Sequence, residues 1–551
     1  MDMYTIGVDF GTESGRALLV DVRDGREVAS AVHAYGDGVI DQHLPGSDKP
    51  LPPDWALQNP FDYIEVFKQT IPAVLKQAGV KPEEVVGLAI DFTACTMLPT
   101  LKDGTPLCGV EQWKSNPHSW VKLWKHHAAQ PEADFINETA RKMGQGWLQR
   151  YGGKISSEWF FSKALQILNE APEVYAAADR LIEACDWVIW QLTGNEVRNA
   201  CTAGYKAMVQ DEGYPDRAYF GALNPAFADV VDTKMQREFG ELGSKAGGLT
   251  AQAAQWTGLK EGTAVAVANV DAHVTYPAVK AKTGTMVMIM GTSTCHILNG
   301  DQLKTVEGMC GVVRGGITPG YYGYEAGQSG VGDIFAWFVN NAVPPEYYDA
   351  AKAAGMDIHQ YLEHEAAKQK VGEHGLIALD WWNGNRSTLV NADLTGVLVG
   401  GSLGTRAPDI YRALIEATAF GTRVIIEAFE QQGVPVKELI CAGGLPDKNA
   451  MLRQIYADVT GRSLKLAGSS QAPALGSAMH AAVAAGVYPN IDAAAEVMGK
   501  VKDVVVNPIP ANQAIYDQLY SEYKTLYDYF GRGTNDVMKR LKAIRREARG
   551  E

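Results

Sequence analysis

The stretch from Tyr4 to Val20 constrains the fold more than any other part of the sequence. Two apolar runs, Tyr4 to Val8 and Ala17 to Val20, predict strands that enter and leave a core. Glycines, hydroxyl side chains and a carboxylate lie between them, a composition typical of a β-hairpin turn. Such a turn also suits a polyphosphate, because glycines let backbone N–H groups approach the phosphates. From these residues alone, an ordinary hairpin and a phosphate-binding turn are equally open.

In the phosphate interpretation, each polar residue of the turn has a role. Gly11 allows close backbone approach, Thr12 and Ser14 donate hydrogen bonds, and Arg16 adds positive charge. Asp9 ends the first predicted strand, where its carboxylate would hold Mg²⁺ directly or through water. The turn is therefore a candidate site for the phosphates of a nucleotide.

A second strand–Gly-Thr–strand pattern lies much later in the chain. Thr285 to Met290 predicts a strand, Gly291 and Thr292 follow it, and Ile297-Leu298 resumes the apolar run. The repetition indicates an internal duplication. Two such hairpins that face each other could grip one nucleotide from both sides.

Size and charge exclude several classes of protein. The chain has 551 residues, a formal net charge of −14 and seven cysteines. An acidic balance argues against nucleic acid or an anionic membrane as the main partner. No signal peptide or membrane-spanning run is visible, and the scattered cysteines show no metal-ligand spacing. We therefore expect free thiols in a reducing cytoplasm.

Strands and helices alternate after the first hairpin. Asn59-Pro60 predicts a helix start and Gly79 its end, and Val85 to Phe92 predicts a buried strand. This alternation favours an α/β architecture, in which ligands bind beyond the carboxyl ends of strands. Asp91 to Thr96 is therefore a candidate sugar-binding loop, although these residues alone favour a plain strand-to-loop connection.

Three further features are candidates for chemistry. Trp113, Trp120 and Trp124 offer faces for sugar C–H groups, although most tryptophans fill cores. Lys206 could bond a sugar hydroxyl or be a surface charge. Val265 to Val270 predicts a strand that Asp271 ends, so that Asp271 is either a general base or a helix cap.

The last third of the chain carries a second glycine-rich connection. Leu439 to Ala442 predicts a strand, and a helix is predicted from about Asn449 to Thr460. Gly443-Gly444 lies between them, where a glycine pair lets a flat base rest on the backbone. Ile410 to Gln432 predicts a long helix.

The common phosphoryl-transfer motifs GxxxxGK[ST] and GxGxxG are absent. From about residue 4 to about residue 488, the chain instead resembles the FGGY family of carbohydrate kinases. The resemblance rests on the order and spacing of six pieces: Asp9-Phe10-Gly11-Thr12, Leu123-Trp124, Asp271, Gly291-Thr292, Gly384-Asn385-Arg386 and Gly443-Gly444.

The resemblance implies an α/β fold of two actin-like ATPase (ribonuclease-H-like) lobes with a central cleft. The expected lobes are a sugar-binding one over residues 1–280 and an ATP-binding one over residues 281–551. It implies that Asp271 is the catalytic base and that Asp9 holds Mg²⁺. Ala94, Trp124, Lys206 and Glu325 would then contact the sugar, and the residues expected at ATP are Gly11, Thr12, Arg16, Gly291, Thr292, Gly443, Gly444 and Asn449.

Within the family, the chain is most similar to the bacterial branch that acts on L-ribulose. Segments 91–96, 123–129 and 379–386 carry this similarity. It implies ATP-dependent phosphorylation of L-ribulose to L-ribulose 5-phosphate in L-arabinose catabolism. The alternatives are another ketopentose or a pentitol as substrate, such as D-ribulose or xylulose, or an ATPase like actin or a chaperone. The oligomeric state stays open, a homodimer being one option.

Overall fold

The computed structural model describes residues 3–549. In the first half of the chain, the strands are β1 (Tyr4–Phe10), β2 (Ser14–Asp21), β3 (Arg26–Ala34), β4 (Leu57–Gln58), β5 (Val85–Phe92), β6 (Met97–Thr100), β7 (Val121–Lys122), β8 (Arg180–Glu183), β9 (Arg198–Asn199), β10 (Phe239–Gly240), β11 (Lys245–Gly248), β12 (Ala264–Ala266) and β13 (Asn269–Val270). The α-helices there are α1 (Pro60–Ala78), α2 (Gln130–Lys142), α3 (Phe160–Glu170), α4 (Pro172–Ala177), α5 (Ala184–Thr193), α6 (Ala200–Lys206), α7 (Arg217–Leu223), α8 (Val230–Lys234), α9 (Ala251–Thr257) and α10 (Asp271–Ala278).

The second half continues the same numbering. Its strands are β14 (Thr285–Met290), β15 (Thr294–Gly300), β16 (Gly311–Arg314), β17 (Tyr322–Gln328), β18 (Ile377–Leu379), β19 (Val397–Val399), β20 (Glu438–Ala442), β21 (Leu464–Ala467) and β22 (Val501–Val506). Its α-helices are α11 (Gly332–Ala342), α12 (Pro345–Ala353), α13 (Ile358–Ala366), α14 (Ala407–Gln431), α15 (Gly444–Lys448), α16 (Ala450–Thr460), α17 (Ala472–Ala484), α18 (Ile491–Met498), α19 (Pro510–Gly531) and α20 (Val537–Arg549).

Two large mixed sheets repeat one topology. The first has the order β11-β12-β5-β1-β2-β3, with β13 also paired to β5, and the second has the order β22-β21-β20-β14-β15-β17-β16. In each sheet a central strand pairs antiparallel with the next strand of its hairpin and parallel with a strand that follows a crossover. The predicted duplication is therefore confirmed, and each half contributes one α/β lobe.

Both predicted Gly-Thr hairpins form. In the first, β1 and β2 pair from Tyr4 opposite Asp21 to Phe10 opposite Gly15, and Gly11 N–H closes the turn on Ser14 O at 3.0 Å. In the second, Gly291 N–H donates to Ser293 O at 2.9 Å. Each turn is therefore closed by a hydrogen bond from its glycine N–H to the carbonyl oxygen of a serine two or three residues later.

One predicted strand is wrong, and one short helix was not predicted. The run Val265 to Val270 is not one strand, because it divides into β12 and β13, and Asp271 begins α10 instead of ending a strand. The helix predicted from about Asn449 to Thr460 forms as α16, but the short helix α15, which begins at Gly444, was not predicted. Gly443 precedes that helix with a φ of 103°, a conformation that glycine adopts readily.

Helix α17 lies in the second half of the sequence but packs against β1, β5 and α10 of the first lobe. Glycine makes this packing close: a Cβ atom at Gly7 would overlap Ala474 O, and one at Gly87 would overlap Ala481 O. Gly476 plays the same part on the helix, where a Cβ atom would overlap Val274 O of α10. Three close contacts between backbones therefore join α17 to the first lobe, and the lobe boundary near residue 280 stays a prediction.

Within residues 3–549, the helices are too short or too polar to cross a membrane.

Candidate active site

A cleft of about 740 Å³ lies between the lobes, and residues of both halves line it. Seven of the predicted site residues are on its walls: Thr12, Ala94, Trp124, Lys206, Asp271, Thr292 and Glu325. They come from positions far apart in sequence. The fold therefore brings the predicted sugar and phosphate residues to one cavity.

The other predicted site residues do not line that cavity in the part of the chain that the structure describes. They are Asp9, Gly11, Arg16, Gly291, Gly443, Gly444 and Asn449. A Cβ atom at Gly443 would overlap Met290 O, so the glycine pair lies against the end of β14, beside the second hairpin. Asn449 caps α16, its side chain accepting from Leu452 N–H at 2.7 Å. Contact of these residues with ATP stays a prediction.

Carboxylates gather where the strands of the first sheet end. Asp9 and Asp91 are direct neighbours across the parallel pair β1–β5, and Asn269 is the neighbour of Asp91 on the other side. Asp91 is fully buried and accepts from Ser477 Oγ of α17 at 2.6 Å, while its other oxygen has no hydrogen-bond partner. Asp91 is therefore held inside the protein. Of Asp9, Asp91 and Asp271, Asp271 alone lines the cleft.

The predicted metal position is chemically suitable. Burial raises the pKa of Asp9, and the charge of Arg16 opposes that rise. In residues 3–549, no group of three or more His, Cys, Asp or Glu side chains is arranged as a metal site. Mg²⁺ in phosphoryl-transfer sites is commonly held by one or two carboxylates with the phosphates supplying further oxygens. Asp9, beside the unpartnered oxygen of Asp91, fits that pattern.

Asp271 lies at the first position of α10, and its Oδ1 accepts from Ala272 N–H at 2.6 Å. The helix-cap alternative is wrong, because Val270 is the cap residue and no side chain within the described residues caps α10, whereas Asp271 lies on the cleft wall. Burial, reinforced by the negative charge of Asp9, raises the pKa of Asp271 to about 7. A carboxylate with a pKa near neutrality has the proton affinity that general-base catalysis requires.

The candidate sugar loop after β5 is held open by a buried lysine. Cys95 has a φ of 60°, and Lys163 Nζ donates to Cys95 O at 2.5 Å and to Leu123 O at 2.7 Å. Thr93 and Thr96 bond each other through their hydroxyls at 3.0 Å. The loop is therefore not a plain connection, and it holds Ala94 on the cleft wall.

The tryptophans separate into two groups. Trp124 is 37% exposed in the cleft, and its Nε1 donates to Thr12 Oγ1 at 3.1 Å. Trp120 is buried in a small cluster with Trp55, and Trp113 packs against another core. Trp124 therefore links the first hairpin to the predicted sugar side, while the other two fill cores.

Lys206 is not a surface charge. It ends α6, is buried, and lies 3.2 Å from Oε1 and 3.3 Å from Oε2 of Glu325 in β17. Burial opposes ionisation of Glu325, yet the charge of Lys206, the polar contact with His273 and the charge of Arg386 hold its pKa well below the usual range. Burial likewise opposes protonation of Lys206, but Glu325 raises its pKa. The pair is therefore charged at neutral pH.

Sequence reasoning assigned no role to two residues of this cluster. His273 Nε2 lies 3.1 Å from Glu325 Oε2, and Arg386 NH2 donates to Glu325 Oε1 at 2.9 Å. His273 follows Asp271 by two positions on α10, and Arg386 belongs to the Gly-Asn-Arg piece quoted for the resemblance. Their charge and proximity to predicted residues were the available signals.

The paired hairpins, the cleft between two duplicated lobes and the carboxylate of Asp271 on its wall define a phosphotransferase of the actin-like ATPase fold. Residues 4–276 match the N-terminal domain of the FGGY family of carbohydrate kinases, and residues 286–485 match its C-terminal domain. The chain belongs to the FGGY family of carbohydrate kinases, and it is a sugar kinase.

Its curated relatives include several ribulokinases. The ribulokinase of Halalkalibacterium halodurans is 56% identical over 548 residues, covering 98% of this chain and 97% of that protein. The ribulokinase of Geobacillus thermodenitrificans is 57% identical over 552 residues, covering 99% and 98%. The similarity therefore extends over nearly the whole of both chains.

Solved structures share the fold at low sequence identity. The xylulose kinase of Rhodospirillum rubrum superposes with a TM-score of 0.77 at 20% identity, covering 95% of this chain and 98% of that one. The glycerol kinase of Plasmodium falciparum, solved with ADP, has a TM-score of 0.72 at 15% identity, with coverage of 95% and 97%. These likenesses confirm the predicted two-lobed fold.

Proposed function

We propose that this protein transfers the γ-phosphate of ATP to L-ribulose, forming L-ribulose 5-phosphate in the breakdown of L-arabinose. The observation that carries the proposal is the position of Asp271 on a cleft wall that also includes Thr12, Thr292, Lys206 and Glu325. Similarity to ribulokinases at more than half identity supports ribulose as the sugar. On this proposal the enzyme works in the cytoplasm, where ATP is available.

The chain's own residues would perform three tasks. Asp271 accepts the proton of the sugar hydroxyl as the bond to phosphorus forms, and it also aims that hydroxyl at the phosphate. Lys206 and Glu325 bind the sugar hydroxyls with a donor and an acceptor. Trp124 covers the cleft next to Thr12 and packs against the C–H groups of the sugar.

The nucleotide would lie between the two hairpins. Gly11, Thr12 and Arg16 would contact its phosphates from one lobe, and Gly291 and Thr292 would do so from the other. Gly443, Gly444 and Asn449 would contact the rest of ATP. Asp9 would hold Mg²⁺, which when bound neutralises charge on the β- and γ-phosphates.

A substrate panel tests the proposal. ADP release is measured with L-ribulose, D-ribulose, L- and D-xylulose, ribitol, arabitol and glycerol at equal concentrations. We expect L-ribulose to give the highest kcat/KM, with D-ribulose next and with xylulose and glycerol far lower. Equal turnover of glycerol and L-ribulose would reject the assignment to ribulose, while ADP release without any sugar at the same rate would favour an ATPase of the actin type.

A further inference from the structure

The ion cluster around Glu325 crosses between the lobes. Lys206 and His273 come from the first half of the chain, and Glu325 and Arg386 come from the second half. Two of these residues, here called the outer partners, contact different oxygens of Glu325. Arg386 donates to Oε1 at 2.9 Å, and His273 lies 3.1 Å from Oε2. Lys206 is at nearly equal distances from both oxygens, 3.2 and 3.3 Å.

These distances divide the cluster into two kinds of contact. A lysine that straddles both oxygens at more than 3 Å does not fix the plane of the carboxylate. His273 and Arg386 together do fix it, since each contacts one of its two oxygens. Lys206 is therefore the partner that can turn toward a ligand while Glu325 stays in place.

The surroundings of His273 favour a fixed position, and a close contact with β17 restrains Arg386, whose side chain is 39% exposed at the cleft. His273 is 1% exposed on the first turn of α10, and its ring lies 4.4 Å from that of Tyr205. Neither ring nitrogen of His273 makes a hydrogen bond of regular geometry. The polar contact of its Nε2 is with Glu325. Arg386 lies flat against β17 because Gly327 has no side chain: a Cβ atom there would be 2.9 Å from Arg386 Cδ.

We propose that His273 and Arg386 are positioning residues that hold Glu325 across the lobe boundary in the orientation that the sugar requires. The inference rests on the proposed sugar site. Glu325 would bind sugar hydroxyls equally in the ground state and the transition state, so loss of either positioning residue weakens sugar binding and leaves the chemical step nearly unchanged.

The test uses the full-length protein and the best sugar of the substrate panel, so that it does not depend on that sugar being ribulose. Sugar Kd is measured by calorimetry, and kcat and the KM for ATP by ADP release. For His273→Ala and Arg386→Ala we expect sugar Kd to rise about tenfold or more, with kcat and the KM for ATP within about threefold. His273→Gln, which keeps a donor, should recover much of the binding.

A double-mutant cycle separates positioning from packing. In the Glu325→Gln background, removal of His273 should change sugar Kd by less than about twofold, because residues that act through one another are not additive. His118→Gln is the matched control: His118 is also buried but bonds Glu170 away from the cleft, and sugar Kd should be unchanged. Additive losses in the cycle, an equal loss for ATP, or a fall in kcat with unchanged sugar Kd would overturn the proposal.

Discussion

Asp271 is the residue on which the proposed chemistry depends. The change Asp271→Asn keeps the shape and the hydrogen bond of the side chain but removes its ability to accept a proton. We expect ribulose Kd to stay within about tenfold, or ~1.4 kcal/mol, while kcat falls by about two orders of magnitude or more. Calorimetry and a coupled ADP assay on one preparation measure both. Near wild-type turnover would exclude Asp271 as the base.

The raised pKa of Asp271 predicts the pH dependence of the reaction. Because burial and the charge of Asp9 raise that pKa to about 7, the carboxylate becomes protonated as the pH falls through neutrality. The base form is the active one, so kcat/KM for the sugar should fall about tenfold per pH unit on the acidic side, and the residual activity of Asp271→Asn should lack this slope. Bound Mg²⁺ moves the midpoint to lower pH without reversing its direction. A wild-type profile that is flat from pH 5 to 8 would contradict a carboxylate base.

The metal position makes a separate prediction. Asp9→Asn removes the negative charge beside the phosphate site, and positioning of Mg²⁺ counts most as charge redistributes in the transition state. We expect kcat to fall by a larger factor than the factor by which sugar Kd rises. Both are measured across a Mg²⁺ titration. Wild-type kcat at every Mg²⁺ concentration would show that the first hairpin is not the phosphate site.

Residue types and order were enough to predict part of the site. Asp271 could be predicted because it is one of the pieces whose order matches a known family, and Lys206 and Glu325 because that resemblance implies them. The structure places all three on one cleft. His273 could not, since a lone histidine on a helix is more often a core residue than a site residue. Its significance depends on Glu325, which is 52 positions away and reaches it only through the fold.

At the scale of secondary structure, local signals were reliable where turn and cap residues are specific. Helix α1 begins at the Asn59 cap and ends at Gly79, as predicted. The division of Val265 to Val270 was missed, because an unbroken apolar run carries no signal of an interruption. The packing of α17 on the first sheet was equally invisible, since it depends on glycines at positions 7, 87 and 476 that are distant in sequence.

That packing predicts an unusually sensitive glycine. In Gly7→Ala the new Cβ atom would overlap Ala474 O and lie 2.7 Å from Ala478 N, so α17 must move off β1. Overpacking of this kind costs about 1–3 kcal/mol, occasionally more, and urea denaturation measures it. Gly401→Ala is the control, because a Cβ atom there meets open space. Equal stability of the two variants would contradict close packing at this junction.

For the whole molecule, the lobes are expected to close when both substrates bind, because closure excludes the water that would otherwise hydrolyse ATP. The contacts of α17 with β1 and α10, together with the Glu325 cluster, already join the lobes. Closure should therefore be a rotation about this junction that brings the two Gly-Thr hairpins toward each other. Small-angle scattering should show a smaller radius of gyration with ribulose and a non-hydrolysable ATP analogue together than with either alone. An unchanged radius with both ligands saturating would contradict the hinge and leave the cleft as a preformed site.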